Sequence, residues 1–259
     1  MSAEALFLGT GASMGIPVIG CDCNVCQSSS PFNKRLRPSL LLIIEKKQYL
    51  VDIGPDFRLQ ALKYQISHLD GVILTHSHYD HIAGLDELRI FYFRENKPVP
   101  CLVSPDTLEE IKIRYHYIMP PSLEDKSHVM KFGFQVLEED EGKTEFEGLP
   151  VHYFSYFQTG MKVTGIRVRD FAYVVDILDY SESIFKSLEG VQTLVIDGLS
   201  WERTAAHLGI AEVIEFAKKI GCKRTYLTHV AHVTDHELMN IKLPNGMEMA
   251  YDGLKLKLW

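Results

Sequence analysis

The stretch "GVILTHSHYDHIAGL", Gly71–Leu85, crowds His76, His78, Asp80 and His81 directly behind an apolar run. Imidazoles and a carboxylate are nitrogen and oxygen donors that favour zinc, with iron or manganese able to take the same set. His76 and His78 are two apart, so on an extended segment their side chains point the same way. Asp80 and His81 follow where the strand gives way to a loop, and a turned backbone can aim them at a second point nearby. The pattern suits a two-metal cluster, with two imidazoles for one ion and a carboxylate plus an imidazole for the other.

A softer donor set stands near the start, where "GCDCNVC" holds Cys21, Cys23 and Cys26. Three thiols this close, among an odd total of five cysteines, suggest a metal site rather than disulfides in a reducing compartment. Cys101 and Cys222 stand alone and read as small buried residues.

Such groups need rigid elements to position them. Short apolar or β-branched runs recur as strand candidates: "ALFLGT", "SLLLIIE", "QYLVDIG", "GVILTH", "FQVLEE", "LPVHYFSYF", "TGIRVR", "FAYVVDI", "TLVIDGL" and "RTYLTH". Between them, "PDFRLQALKYQ" is expected to be helical with Phe57, Leu59, Leu62 and Tyr64 along one stripe. "DTLEEIKIRYHYI" is a further helix candidate. "IAEVIEFAKKIG" sets Ile210, Val213, Ile214, Phe216 and Ala217 at helical spacing, with Gly221 as its C-terminal stop. The acidic run Glu138–Gly148 reads as a solvated turn region.

Composition bounds the rest. The 259 residues carry 46% hydrophobic side chains and a formal net charge of −7. That is ample for a large core, and one continuous domain over residues 1–259 is expected. The charge disfavours nonspecific attraction to nucleic acid or an anionic membrane. No run approaches the roughly 18 apolar residues that span a bilayer. The opening "MSAEALFLGTGAS" has neither the basic nor the apolar region of a secretory signal, so a cytoplasmic location is expected. Neither a GxSxG motif nor a P-loop lysine motif occurs, which leaves serine-nucleophile and P-loop chemistry without support.

"THSHYDH" matches the HxHxDH signature of the metallo-β-lactamase superfamily, which the chain resembles along nearly its whole length. That resemblance implies an α/β fold, a four-layer αβ/βα sandwich whose strand-end loops meet at a dinuclear centre. It assigns His76, His78, Asp80 and His81 as ligands, Asp176 in "YVVDI" as the bridging carboxylate and His229 in "YLTHVAH" as the final histidine. Asp52 in "VDIGPD" falls where the family has an aspartate that supports the metal-binding loop. The histidine expected after the bridging region's preceding strand is missing; Gln158 occupies its place in "YFQTGMKVTGIRV", with Thr159 the alternative and His152 six positions early. A glutamine is a doubtful ligand, because its neutral amide oxygen binds zinc more weakly than imidazole does.

"GTGASMGIPVIGCDCNVC", the "HL" at His207 and "LTHVAH" together resemble the phosphodiesterase branch typified by the phosphoribosyl cyclic phosphodiesterase of phosphonate breakdown. The resemblance implies a structural zinc on Cys21, Cys23, Cys26 and His232, and Cys₃His is a closed shell without an open position. It implies that His207 acts as general acid towards the leaving oxygen, with Asp80 orienting the attacking water. Zinc or manganese, one or two ions, is the expected active-site cofactor, a small phosphodiester the expected substrate, and a homodimer the expected assembly. The closing stretch "LPNGMEMAYDGLKL" resembles that branch's C-terminal strand pair. "GTGASMGIP" also resembles the tRNA 3′-end processing endonucleases, without an inserted glycine- and lysine-rich RNA-gripping arm. A non-catalytic relative, such as a cofactor-biosynthesis accessory protein, is the remaining alternative. Substrate shaping falls to the loops Arg94–Pro100 and Tyr117–His128, and His68, His116, His128, His152 and His236 are expected to be ordinary surface or partly buried residues.

Overall fold

A computed structural model describes residues 2–118 and 129–259. Most of the loop ending at His128, and that histidine itself, lie outside the described residues.

Two seven-stranded sheets face each other. The first takes β1 (Ala3–Gly9), β2 (Ser39–Ile44), β3 (Lys47–Val51), β4 (Gly71–Ile73), β5 (Val99–Val103) and β6 (Phe132–Val136). The second takes β7 (Glu141–Phe146), β8 (Leu149–Gln158), β9 (Met161–Val168), β10 (Phe171–Val174), β11 (Thr193–Asp197), β12 (Arg224–Thr228) and β13 (Met247–Met249). β14 (Lys255–Lys257) returns to pair with β1. Strands β3 to β6 run parallel in one sheet, and β10 to β13 run parallel in the other.

Burial on both faces explains the nearly continuous apolar runs. Along β2, Leu40 and Leu42 enter the core between the sheets, while Leu41 turns outward beneath the helices of the first half. Along β11, Val195 faces the inter-sheet core and Leu194 and Ile196 face the helix Ile210–Ile220. Helix, sheet, sheet, helix is the four-layer αβ/βα sandwich that the family resemblance implies. Gly221 ends that helix at φ 77°, the left-handed stop expected of it.

Three local expectations fail. The helix Phe57–Lys63 buries Phe57 and Gln60, whereas Leu59 and Leu62 are 55% and 63% exposed. Positions 57 and 60 are one helical turn apart and share the inner face, and Gln60 Nε2 donates to Arg37 O at 3.0 Å. The acidic run is not a turn: Glu141–Phe146 is edge strand β7, pairing antiparallel with β8, its charged side chains on the open face. The C-terminal strands do not pair with each other; β13 extends one sheet beside β12 and β14 extends the other beside β1. β5, "VPCLV", was not anticipated, because a proline-containing run of five reads poorly as a strand.

Candidate functional site

The carboxyl ends of β3, β4, β8, β10, β11 and β12 open on one crevice, the place where open α/β sheets bind ligands. A cross-sheet bond from Thr164 N to Thr75 O, 2.9 Å, ties its two walls together. Asp52, Asp176 and His229 each leave their strands in the left-handed region, at φ 60°, 58° and 55°. Aspartate and histidine tolerate this conformation better than most residues, and it turns each side chain off the strand axis into the crevice.

His76, Ser77 and His78 are loop residues beyond β4 rather than part of an extended strand, and Asp80 and His81 lie in the short helix Tyr79–Ile82. The histidines still converge: His76 Nε2 lies 3.0 Å from His78 Nδ1. Close packing holds the helix in place, since a Cβ on Gly54 would meet Asp80 O at 2.2 Å. Asp52, fully buried, accepts from Thr75 N and from Thr75 Oγ1 at 2.9 Å and takes the Nδ1 proton of His81 at 2.7 Å. That points His81 Nε2 into the crevice, the orientation a carboxylate imposes on metal-binding imidazoles.

Three sets of donor atoms lie in the crevice, His76, His78 and Asp176, then Asp80, His81 and His229, then Asp176, His207 and His229, the atoms of each lying within 4.8 Å of one another. His81 Nε2 is 3.0 Å from Asp176 Oδ2 and 3.5 Å from Asp80 Oδ2. His229 Nε2 is 3.3 Å from Asp80 Oδ2 and 3.5 Å from Asp176 Oδ1. Donors about 2.0–2.1 Å from a tetrahedral zinc are roughly 3.3 Å apart, so these edges fit one ion. His81 Nε2 and Asp176 Oδ2, buried and 3.0 Å apart, make no aligned hydrogen bond with each other or with any other group, a state costing about 1–3 kcal/mol per group unless something else satisfies it.

Charge is concentrated here. Burial opposes ionisation of His81 and His229, yet the surrounding carboxylates prevail; Asp52, Asp80 and Asp176 hold His81 well above its ordinary pKa, and Asp176 and Asp80 bring His229 to about 9. Burial would raise Asp80 and Asp176, but the neighbouring histidines hold both below the usual carboxylate range. His76 is pushed well down by burial and by His81.

Gln158, at the end of β8, is buried where the histidine was expected; its Nε2 donates to Asp176 Oδ1 at 2.7 Å and to His207 Nε2 at 3.0 Å. Thr159 is exposed at the following turn, and His152 sits 3.3 Å from Glu141, on the exposed edge of the sheet. His207 is brought in as well, its Nε2 3.8 Å from Asp176 Oδ1. The residue that sequence reasoning missed is Asp197. Fully buried at the end of β11, it accepts from Asp176 N at 2.8 Å and Ile177 N at 3.2 Å, and takes the His207 Nδ1 proton at 2.8 Å. Its signal was an aspartate closing the apolar run "TLVID", the same pattern that marked Asp52 and Asp176.

At the molecular surface Cys21, Cys23 and Cys26 surround one atom of His232. Their sulfurs lie 3.3, 3.5 and 3.7 Å from its Nδ1. A tetrahedral zinc with sulfur at about 2.3 Å and nitrogen at about 2.0–2.1 Å gives an edge of roughly 3.6 Å. The backbone N–H of Cys26 and the His232 ring bring the Cys23 thiol down to about 6, whereas Cys101, fully buried in β5, is pushed up by burial. Cys222 is partly buried. His236 is buried against Arg35, with Nδ1 and Nη2 3.0 Å apart.

A family model described as a beta-lactamase superfamily domain matches residues 47–230. The chain is 31% identical over 263 residues to an octanoyltransferase of Porphyromonas gingivalis, a match covering 97% of this chain and 51% of that protein, so it spans about half the relative's length. A crystal structure described as a new diphosphatase from the PhnP family superposes with a TM-score of 0.90 at 33% identity, over 100% of this chain and 98% of that one. Zinc-bound PqqB from Methylobacterium extorquens shares the fold, with a TM-score of 0.77 at 22% identity, over 98% of this chain and 100% of its own. With a family model over most of the chain and a PhnP-family structure matched along its whole length at 33% identity, the protein belongs to the metallo-β-lactamase superfamily.

Proposed function

We propose that the chain is a metal-dependent phosphodiesterase acting on a small phosphodiester, cyclic ones included. His76, His78 and Asp176, with Gln158 beside them, would hold one ion; Asp80, His81 and His229, with Asp176, would hold another. Cys21, Cys23, Cys26 and His232 would hold a structural zinc. Bound in the crevice, a divalent ion supplies positive charge against the phosphoryl oxygens and acidifies a water near pH 7.

The observation that carries the reading is the Asp197–His207 pair opening onto Asp176. His207 Nδ1–H donates to Asp197, which leaves Nε2 as the working atom of His207 and stabilises the ring when it becomes charged. Nε2, which in the resting site accepts from Gln158 Nε2 at 3.0 Å, exchanges that bond for the proton that the attacking water gives up and passes it to the leaving oxygen as the P–O bond breaks. Asp80, an ionised carboxylate at the rim of the donor set, orients that water. The similarity to the PhnP-family diphosphatase supports phosphorus as the centre attacked.

The test is hydrolysis of a bis-aryl phosphate, a 2′,3′-cyclic nucleotide and a ribose 1,2-cyclic phosphate with zinc and with manganese. His207→Asn is expected to lower kcat by about 10²–10⁴-fold with metal content unchanged. If none of the three is cleaved under either metal, the catalytic reading falls and a binding protein remains.

A further inference from the structure

We propose that Gln158 makes the two active-site metal positions unequal: the His76–His78–Asp176 position takes a weakly held, oxygen-preferring divalent ion, while the Asp80–His81–His229 position is the zinc position. This rests on the metal-dependent reading above and deepens it.

The orientation of the Gln158 amide is determined by its two neighbours. Asp176 Oδ1, 2.7 Å away, belongs to an ionised carboxylate and only accepts, so the amide nitrogen faces it. His207 commits its Nδ1 proton to Asp197, so its Nε2 is likewise an acceptor, 3.0 Å from the same nitrogen. Both amide hydrogens are therefore used. The oxygen on the other side of the amide is buried and lacks any donor, in a side chain only 2% exposed. A buried oxygen without a donor, next to a carboxylate that also belongs to the His76–His78 set, is completed by a cation.

An imidazole at this place would give that ion three nitrogens. Gln158 instead leaves two nitrogens, a carboxylate and a neutral carbonyl oxygen, and carbonyl and carboxylate donors suit manganese and magnesium better than zinc. Its N–H bond to Asp176 also draws charge from that carboxylate. The other position shares that carboxylate but loses no imidazole to the replacement; there Asp52 orients His81, and two imidazoles and two carboxylates meet.

The experiment is equilibrium dialysis of the full chain against graded zinc and manganese, with bound metals counted and free Mn²⁺ read by electron paramagnetic resonance. Wild type is expected to hold two zincs tightly, one at the cysteines and one in the crevice, and to take Mn²⁺ at a third position. Q158H should bind a third zinc about 10–100-fold more tightly there and exclude Mn²⁺. Q158M keeps the shape without the oxygen; it should retain both tight zincs and lose Mn²⁺, and it decides the matter if Q158H does not fold. Three zincs of equal affinity in wild type, or Mn²⁺ retained by Q158M, overturns the inference. Cleavage of phosphodiesters together with three equal zincs sinks only this inference, whereas unequal positions without cleavage sink only the proposed reaction.

Discussion

The cysteine corner and the crevice are candidate metal sites joined by four residues, His229–His232, yet they are built on opposite terms. At the corner three sulfurs gather around one imidazole nitrogen with the surrounding residues half-buried. In the crevice imidazoles and carboxylates lie almost wholly buried and shift one another's ionisation. A Cys₃His shell leaves an ion no free position, so the corner can tie an N-terminal loop to a C-terminal one and do no chemistry. Mixed nitrogen and oxygen donors, oriented by Asp52 and Asp197, leave room for a substrate. On the proposed function, ligand type and burial would separate a staple from a reaction centre even when one loop feeds both.

Two histidines three residues apart offer the sharpest way to break that contrast. His229→Ala is expected to cost more than about 100-fold in hydrolysis, since even supporting residues cost 10–100-fold, with the corner's ion still counted by elemental analysis. His232→Ala should do the reverse, losing one ion and lowering Tm, by about 2–4 °C for each kcal/mol lost, while crevice metals remain. Equal loss of both ions in both variants would mean that the two sites are one unit.

A smaller effect tests the orientation of the crevice ligands. Asp52→Asn is expected to weaken crevice metal binding by about 10–100-fold, measured by competition with a chromogenic chelator, leaving the cysteine site unchanged. Retention of wild-type affinity would show that His81 needs no anchor.

The smallest expected effect lies between the regions, where Arg35 fastens the C-terminal segment without metal. It donates to Thr10 Oγ1, Ala250 O and His236 Nδ1 at 2.7, 2.6 and 3.0 Å. Burial, and then Arg35, bring His236 down to about 4. In the unfolded chain it titrates near 6.5, so between those values the unfolded state binds more protons. Its contribution is complete above pH 6.5 and is lost as pH falls towards 4. Denaturant midpoints across that range should show the fall, and His236→Asn should flatten it.

Much of the crevice was legible in one dimension because its donors stand where apolar runs stop. Asp52, Asp176 and His229 follow strands, and each turns through a left-handed residue at that point. Asp197 closes a strand in the same way, but nothing local shows that it serves His207, ten residues on across a loop. The helix stripe at Phe57 misled because a short helix spends its inner face on Gln60, whose value is a hydrogen bond to a distant carbonyl. Strand β7 was hidden by its charges, which an edge strand tolerates on its open face.

Sequence alone determined the donor types, because composition and spacing are properties of the chain itself, and the resemblance of its motifs to a known superfamily implied the layered α/β architecture and marked position 158 as lacking the expected imidazole. Only the tertiary structure decided which donors meet. His232 joins cysteines more than two hundred residues away, and the Gln158 amide is oriented by Asp176 and His207 together. Hydrogen-bond direction and distance arise from packing two sheets face to face, and no stretch of sequence carries that information by itself.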